Sequence, residues 1–147
     1  MEQTIKNIEA YLQTHGLLTL ATVSAEGQPM AHSVEYISEG NTVYFISHEG
    51  TRKVANIKEN SKVAYTVDED YQDWSQIQGI QMEGKASFIE EENEKNRIRQ
   101  KYVERFPQVM NFPPEFAQAM CLIKVEPIHA KYIDNTKGMG HHELVKY

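Results

Sequence analysis

A short run of hydroxyl and cationic residues has the composition of an anion-binding site. Ser47 and Thr51 supply hydroxyl groups, and Arg52 and Lys53 add two positive charges. Residues 42–47 have the pattern of a strand, and threonine is a favoured residue for capping the start of a helix. A helix start exposes N–H groups and carries the positive end of the helix dipole, so cations there are unfavourable unless an anion lies among them. The segment predicts a phosphate site, with two solvated surface cations as the alternative.

Other chemical signatures are weaker. The chain has no glycine-rich phosphate loop, no dinucleotide fingerprint and no Cys-x-x-Cys pair. His141 and His142 are adjacent, and neighbours on an extended segment point to opposite sides, so no metal site is predicted there. Cys121 is flanked by apolar residues, which is typical of a small core residue. Glu35 and Glu83 each lie within a predicted strand and are expected to face solvent.

Size and charge restrict the class of protein. The chain has 147 residues, with 15 Lys and Arg against 21 Asp and Glu, which gives a net charge of −6. Residues 1–147 are predicted to form a single domain, which is long enough to bury a core. An acidic chain without a basic face does not favour nucleic acid as a partner. A single cysteine and the absence of an apolar run of ~20 residues predict a cytoplasmic protein with no membrane partner.

Hydrophobic periodicity predicts a mainly β protein. Helices are expected at the N-terminus (within residues 1–15), after Thr51, and over 90–106. The predicted strands cover residues 17–23, 30–38, 42–47, 62–68, 77–89, 120–125 and 128–133. Short turn clusters join most of them as hairpins, which favours an antiparallel, Greek-key-like β-barrel of about seven strands with flanking helices.

Two further features concern the second half of the chain. Gly79 and Gly84 lie inside the fifth predicted strand, where glycine indicates a bulge or the close approach of a ligand or another backbone. Residues 134–147 are rich in Gly, His and Lys and are expected to form a flexible tail.

The order of several short motifs resembles the pyridoxamine 5′-phosphate oxidase-like family of FMN-binding split β-barrels. The match runs from about residue 17 to residue 89. It includes Ala-Thr-Val at 21–23 with Gly-Gln-Pro at 27–29, Val-Tyr-Phe-Ile-Ser at 43–47, Thr-Arg-Lys at 51–53, Asn60, and Glu-Gly-Lys-Ala at 83–86.

The resemblance implies a homodimer that binds two FMN molecules in clefts between the subunits. It implies that Thr51, Arg52 and Lys53 hold the FMN phosphate together with Ser47. It also implies that the second strand lines the isoalloxazine ring and that the fifth strand approaches the flavin from the partner subunit. The cofactor-binding residues implied in this way are His32, Ser33, Val34, Glu35, Tyr36, Ile46, Ser47, Thr51, Arg52, Lys53, Gln78 and Gln81.

Departures from the true oxidase indicate a different branch of the family. His32 and Ile37 stand where the oxidase has an arginine and a substrate-binding lysine, and Gln78-Gly79 replaces an Arg-Gln pair. Residues 130–147 lack its Arg/His-rich segment. The resemblance therefore implies the small branch whose substrate is unknown, with FMN-dependent oxidoreductase activity as the leading hypothesis. A non-enzymatic flavin carrier or redox sensor is one alternative. Binding of haem or a deazaflavin is another, with His48, His141 or His142 as a haem ligand.

Overall fold

Eight strands and four helices follow one another in an order dominated by hairpins. The computed structural model describes residues 1–147. The helices are α1 (Glu2–Thr14), α2 (Arg52–Glu59), α3 (Glu92–Arg105) and α4 (Pro114–Gln118). The strands are β1 (Leu17–Val23), β2 (Pro29–Glu35), β3 (Ile37–Glu39), β4 (Thr42–His48), β5 (Lys62–Val67), β6 (Gln78–Phe88), β7 (Met120–Asp134) and β8 (His142–Lys146). Short 3₁₀ segments lie at Trp74–Gln76, Pro107–Asn111 and Asn135–Lys137.

The strands form one antiparallel sheet that curls into a barrel. Seven strands follow the order β2-β1-β5-β6-β7-β4-β3, and β8 pairs with β7 beside this path. β2 and β3 are at opposite ends of the path, yet only Tyr36 separates them along the chain. One residue spans at most ~3.6 Å, so the two edges of the sheet must lie next to each other. The predicted antiparallel barrel with flanking helices is confirmed, with eight strands rather than seven.

The single strand predicted over residues 30–38 is divided at Tyr36. Tyr36 and Ile37 are both buried, at 0% and 5% exposure, although neighbours in a continuous strand point to opposite faces. β2 pairs with β1, whereas β3 pairs with β4. The chain therefore bends at Tyr36 as it passes between the two edges of the curled sheet, and the Tyr36 N–H donates to Gly16 O at 2.9 Å.

The break predicted at residues 126–127 is wrong, because β7 runs through it as one strand of 15 residues. The pairing with β6 shifts register between Glu83 and Gly84, so that Ile128 is the extra residue of a bulge. A Cβ on Gly84 would lie 2.6 Å from Val125 Cγ1 and 2.8 Å from a backbone oxygen. The bulge accommodates Pro127, which has no N–H to donate to a ladder. The bulge indicated by Gly84 is therefore confirmed.

The segment expected to be a flexible tail contains a strand. β8 pairs antiparallel with β7 from His142↔Ile133 to Lys146↔His129. Val145 is 2% exposed within the core, which supplies the burial that orders the segment. The alternation of apolar and polar residues is too short here for the sequence to indicate a strand by periodicity alone.

The two faces of the sheet differ in character. One face is buried in a core to which α1 contributes Ile8 and Leu12, and α2 contributes Val54 and Ile57. The opposite face of β1, β2, β5 and β6 has no layer of this chain on it, and we call it the outer face. It carries Thr19, Ala21, Ala31, Ser33, Ala64, Thr66 and Gln81, all exposed or half-buried.

A second and smaller core lies beneath α3. Ile98 and Tyr102 of α3 pack on Ile37, Tyr44 and Leu122, so β4 has buried residues on both of its faces. None of the helices has both the length and the apolar character that crossing a membrane requires.

Candidate cationic site at the start of α2

The start of α2 is fixed by Thr51. Thr51 is the N-cap residue, and its Oγ1 accepts a hydrogen bond from the Val54 N–H at 3.4 Å. The same hydroxyl donates to His48 O at 2.9 Å, which ties the cap to the end of β4. The N–H groups of Arg52 and Lys53 lie in the first turn, where the helix itself offers no acceptor. The predicted strand-turn-helix arrangement is therefore present, with free backbone donors at its turn.

Ser47 is the second hydroxyl of this turn. It is 3% exposed, and its Oγ lies 3.0 Å from Thr51 Oγ1. Because the Thr51 hydroxyl proton is directed at His48 O, Ser47 is the donor in this pair. An anion placed over the turn would compete with Thr51 for that proton.

Arg52 and Lys53 make no ion pair in the chain. Arg52 is exposed and reaches over to β2, where its Nη1 lies 3.5 Å from Met30 Sδ. Lys53 is half-buried, and this burial lowers the pKa of its ammonium group. Two cations without a carboxylate, one of them desolvated, leave positive charge uncompensated at the positive end of α2.

His32 of β2 lies close enough to Lys53 to be affected by its charge. Burial lowers the pKa of His32, and the positive charge of Lys53 lowers it further. His32 Nε2 lies 3.3 Å from Thr22 Oγ1, and Asn56 Nδ2 of α2 donates to the same oxygen at 3.0 Å. Thr22 and Asn56 are 3% and 6% exposed, so this is a buried polar link between β1 and α2.

His32, Ser47, Thr51, Arg52 and Lys53 therefore come together, and we call them the cationic cluster. Met30, the first residue of the segment 30–37 that the sequence predicts as one wall of the site, also belongs to this region. Thr22 and Asn56 belong to it as well and were not predicted as site residues. The sequence does contain an indication for Asn56, because a polar residue stands there between Val54 and Ile57 on the buried side of α2. The donor set of two hydroxyls, a guanidinium, an ammonium and helix N–H groups fits a phosphate monoester.

The other residues of the second predicted strand that the family resemblance implies in cofactor binding lie on both faces of the sheet. Ser33 and Glu35 are exposed on the outer face, whereas Val34 is buried in the core. Tyr36 is fully buried and its hydroxyl donates to Leu12 O at 2.8 Å, so only its backbone could line a ligand. Glu83, like Glu35, faces solvent as expected, and its carboxylate lies 3.0 Å from His129 Nδ1.

Ile46, Gln78 and Gln81 lie apart from the cationic cluster of the same chain. Ile46 points away from Ser47, into the core beneath α3. Gln78 is held at the start of β6, where its side chain accepts from the Tyr132 hydroxyl at 3.1 Å and its carbonyl accepts from Tyr11. Gln81 is exposed on the outer face. A ligand on the cationic cluster would meet these glutamines only if a second chain supplied them.

The histidines considered as haem ligands differ in their surroundings. His48 Nδ1 accepts a hydrogen bond from the Gly50 N–H at 3.0 Å, and its ring packs on Phe116. His141 Nε2 lies 3.6 Å from a Glu143 carboxylate oxygen, and His142 is exposed on β8. No group of three or more His, Cys, Asp or Glu side chains is arranged to hold a metal ion.

The fold and the site define a split β-barrel with a candidate phosphate site beside one helix start. Residues 4–134 match the family model of pyridoxamine 5′-phosphate oxidase, and the chain belongs to this family. A UPF0306 protein of Klebsiella pneumoniae (strain 342) is 29% identical over 142 residues, covering 94% of this chain and 90% of that protein. The predicted family, and its branch outside the true oxidase, are confirmed.

Solved structures with the same fold have diverse names. A heme binding protein from Mycobacterium smegmatis has a TM-score of 0.78 at 15% identity, covering 94% of this chain and 56% of that protein. A protein named F420 reductase has a TM-score of 0.66 at 21% identity, covering 83% of this chain and 94% of that protein. At these identities the likeness shows a shared fold and does not identify the ligand of this chain.

Proposed function

We propose that the protein binds FMN and acts as an FMN-dependent oxidoreductase with an unknown substrate. The observation that carries this proposal is the pair of cations at the start of α2 with no carboxylate partner. The terminal phosphate of FMN is a dianion that would compensate Arg52 and Lys53 and accept from Ser47 and the helix N–H groups, and from Thr51 once its proton turns away from His48 O. Membership of the pyridoxamine 5′-phosphate oxidase family supports a flavin as the group attached to that phosphate.

The roles of the residues in this proposal are binding and orientation. When bound, FMN supplies the hydride or electron transfer chemistry. Arg52 and Lys53 neutralise its phosphate, and Ser47 and Thr51 fix the direction of the phosphate oxygens. His32 lies beside Lys53 and would gain favourable charge interactions from the same phosphate. We propose that the backbone of β2 lines the ring, with Gln78 and Gln81 supplied by a second chain.

A homodimer is part of the proposal, and the outer face is the surface that we propose for it. Ala31, Ala21 and Ala64 are aligned across β2, β1 and β5, so a row of methyl groups crosses the face. Such small side chains permit a second sheet to approach closely. Leu17 and Leu144 add apolar surface around it, at 55% and 68% exposure. Association through this face would bring a partner's Gln81 into the shared interface.

The phosphate assignment is tested by comparing FMN with riboflavin, which lacks the phosphate. In the double variant Arg52→Ala/Lys53→Ala, FMN affinity should fall about a hundredfold or more, because each of the two lost charged hydrogen bonds is worth about 1.5–3 kcal/mol. Riboflavin affinity should change less than twofold. Flavin fluorescence quenching measures both. The matched control is Lys58→Ala/Lys62→Ala, which removes one cation in the last turn of α2 and one at the start of β5.

Different results would count against the phosphate assignment and against FMN as the cofactor. Equal loss of FMN and riboflavin binding in the double variant would point to a folding defect and contradict a phosphate-specific role. An absorption spectrum of the purified protein with a Soret band in place of flavin bands would instead support haem. Tighter binding of F420 than of FMN would support the deazaflavin alternative.

Enzyme activity is tested separately from binding. Protein with bound FMN should oxidise NADH or NADPH, or reduce a common acceptor, faster than free FMN does. Bound flavin without any such turnover would favour the carrier or redox-sensor alternative.

We also propose that the protein is located in a reducing cytoplasmic compartment.

A further inference from the structure

A second concave site lies on the opposite face of β4 from Ser47. It is enclosed by α3, by the segment 107–119 and by the start of β7, and its volume is about 220 Å³. Ten of its eleven lining residues are hydrophobic, among them Ile46, Tyr102, Val103, Val109, Phe112 and Leu122. We call it the α3 cavity.

The size and lining of the α3 cavity restrict what it can hold. An apolar cavity of about 150 Å³ stays dry and accepts benzene. The α3 cavity, at about 220 Å³, exceeds that volume by roughly the size of a short side chain. It is open to solvent at one edge, where Met110 is 72% exposed. Its occupant would therefore have an apolar body of about one aromatic ring with a short chain attached.

Arg99 supplies the only charge in the lining. Its guanidinium makes no ion pair, and its one hydrogen bond in the chain is a long contact of 3.5 Å to Asn96 Oδ1. Lys95 lies one turn earlier on the same helix and also makes no ion pair. A guanidinium without a partner at the mouth of an apolar cavity matches a carboxylate, which it can hold with two parallel hydrogen bonds.

We propose that the α3 cavity is a ligand site for a small aromatic carboxylic acid, with the ring inside the cavity and the carboxylate on Arg99. The site is independent of the proposed FMN site, because Ile46 and Ser47 project to opposite faces of β4. The two sites share only that strand, so a ligand at either one can be measured without the other.

The test compares 3-phenylpropionate with its neutral analogue 3-phenylpropanamide. Isothermal titration of the full-length protein should show saturable binding of the acid, about tenfold or more tighter than the amide. Arg99→Gln should remove this preference, so that the two ligands bind within twofold of each other. The control Lys6→Gln removes an exposed, unpaired cation from α1 and should leave the preference intact.

The position of the ring is tested by filling the cavity. Val109→Phe should abolish binding of both ligands while the circular dichroism spectrum stays unchanged. If that variant does not fold, NOE contacts between the ligand ring and the Val103 and Val109 methyl groups of the unchanged protein give the same answer. The proposal is overturned by an acid that shows no saturable binding, by binding that survives Val109→Phe, or by binding lost in Arg52→Ala/Lys53→Ala but not in Arg99→Gln.

Discussion

His32 and Lys53 are two bases whose pKa values are lowered by burial and, for His32, also by the charge of the other. A bound phosphate would reverse both effects, because an adjacent anion favours the protonated form of a base. We predict that the His32 pKa lies below 6.5 in the free protein and rises when FMN or inorganic phosphate binds. An NMR titration of the ring protons measures it, with the exposed His142 as the control. An unchanged His32 pKa with saturating FMN would argue against a phosphate beside it.

The lowered pKa of His32 also predicts the direction in which the stability of the free protein changes with pH. Between the folded-state pKa of His32 and its unfolded value near 6.5, the unfolded chain binds more protons than the folded one. The free energy of unfolding of the free protein should therefore rise with pH across this window, and this contribution is lost as the pH falls through it. Urea unfolding of the wild type and of His32→Gln at several pH values measures the difference. A pH dependence that is identical in the variant would rule out His32 as its source.

At the scale of elements, the bulge that joins β6 to β7 depends on one glycine. Gly84→Ala would place a methyl group 2.6 Å from Val125 Cγ1 and 2.8 Å from Glu126 O, and the second of these is backbone that cannot turn aside. We predict a loss of about 1–3 kcal/mol in the free energy of unfolding, the usual cost of overpacking. Urea denaturation measures it.

Gly16→Ala is the matched control for this prediction. An added methyl group there lies 2.9 Å from Arg105 Nη2, the far end of a flexible side chain that can move. The loss of stability should therefore be clearly smaller than for Gly84→Ala. Equal losses in the two variants would show that the bulge does not require glycine.

The elements differ in how well the sequence specifies them. Val63, Tyr65 and Val67 alternate with more exposed residues, and β5 accordingly follows the predicted strand closely. Thr51 marks the start of α2 because its side chain caps the helix. The bend at Tyr36 and the continuity of β7 through Pro127 were not predictable, because both depend on strands that are distant in sequence. Periodicity reports local burial, and it does not report which neighbour a strand pairs with.

At the scale of the whole molecule, the outer face should hold two chains together. Ala21→Arg places a long charged side chain at the centre of the row of alanines. Burial of an unpaired charge is costly, so we predict that this variant is monomeric where the wild type is dimeric. Sedimentation velocity measures the change, and Ala10→Arg on the exposed side of α1 is the control. A monomeric wild type at micromolar concentration would contradict the proposed dimer.

The candidate site was predictable from the sequence only where its residues are close in the chain. Ser47, Thr51, Arg52 and Lys53 lie within one strand-turn-helix unit, whose local rules place them together. His32 entered through the family resemblance. Thr22 and Asn56 lie near the cluster because β1 packs on α2, a tertiary contact that no local pattern encodes.

The position of the cationic cluster in the sheet has a consequence for folding kinetics. His32 lies on β2 and Ser47 on β4, strands near opposite ends of the sheet path. The sheet between them is completed only when β4 pairs with β7, a strand distant in sequence, as in the pair Val43↔Val125. Such long-range closure carries a loop entropy cost and is typical of slow folding steps. An anion bound between β2 and α2 would therefore engage the chain after closure, and would lengthen the lifetime of the closed barrel more than it hastens its formation.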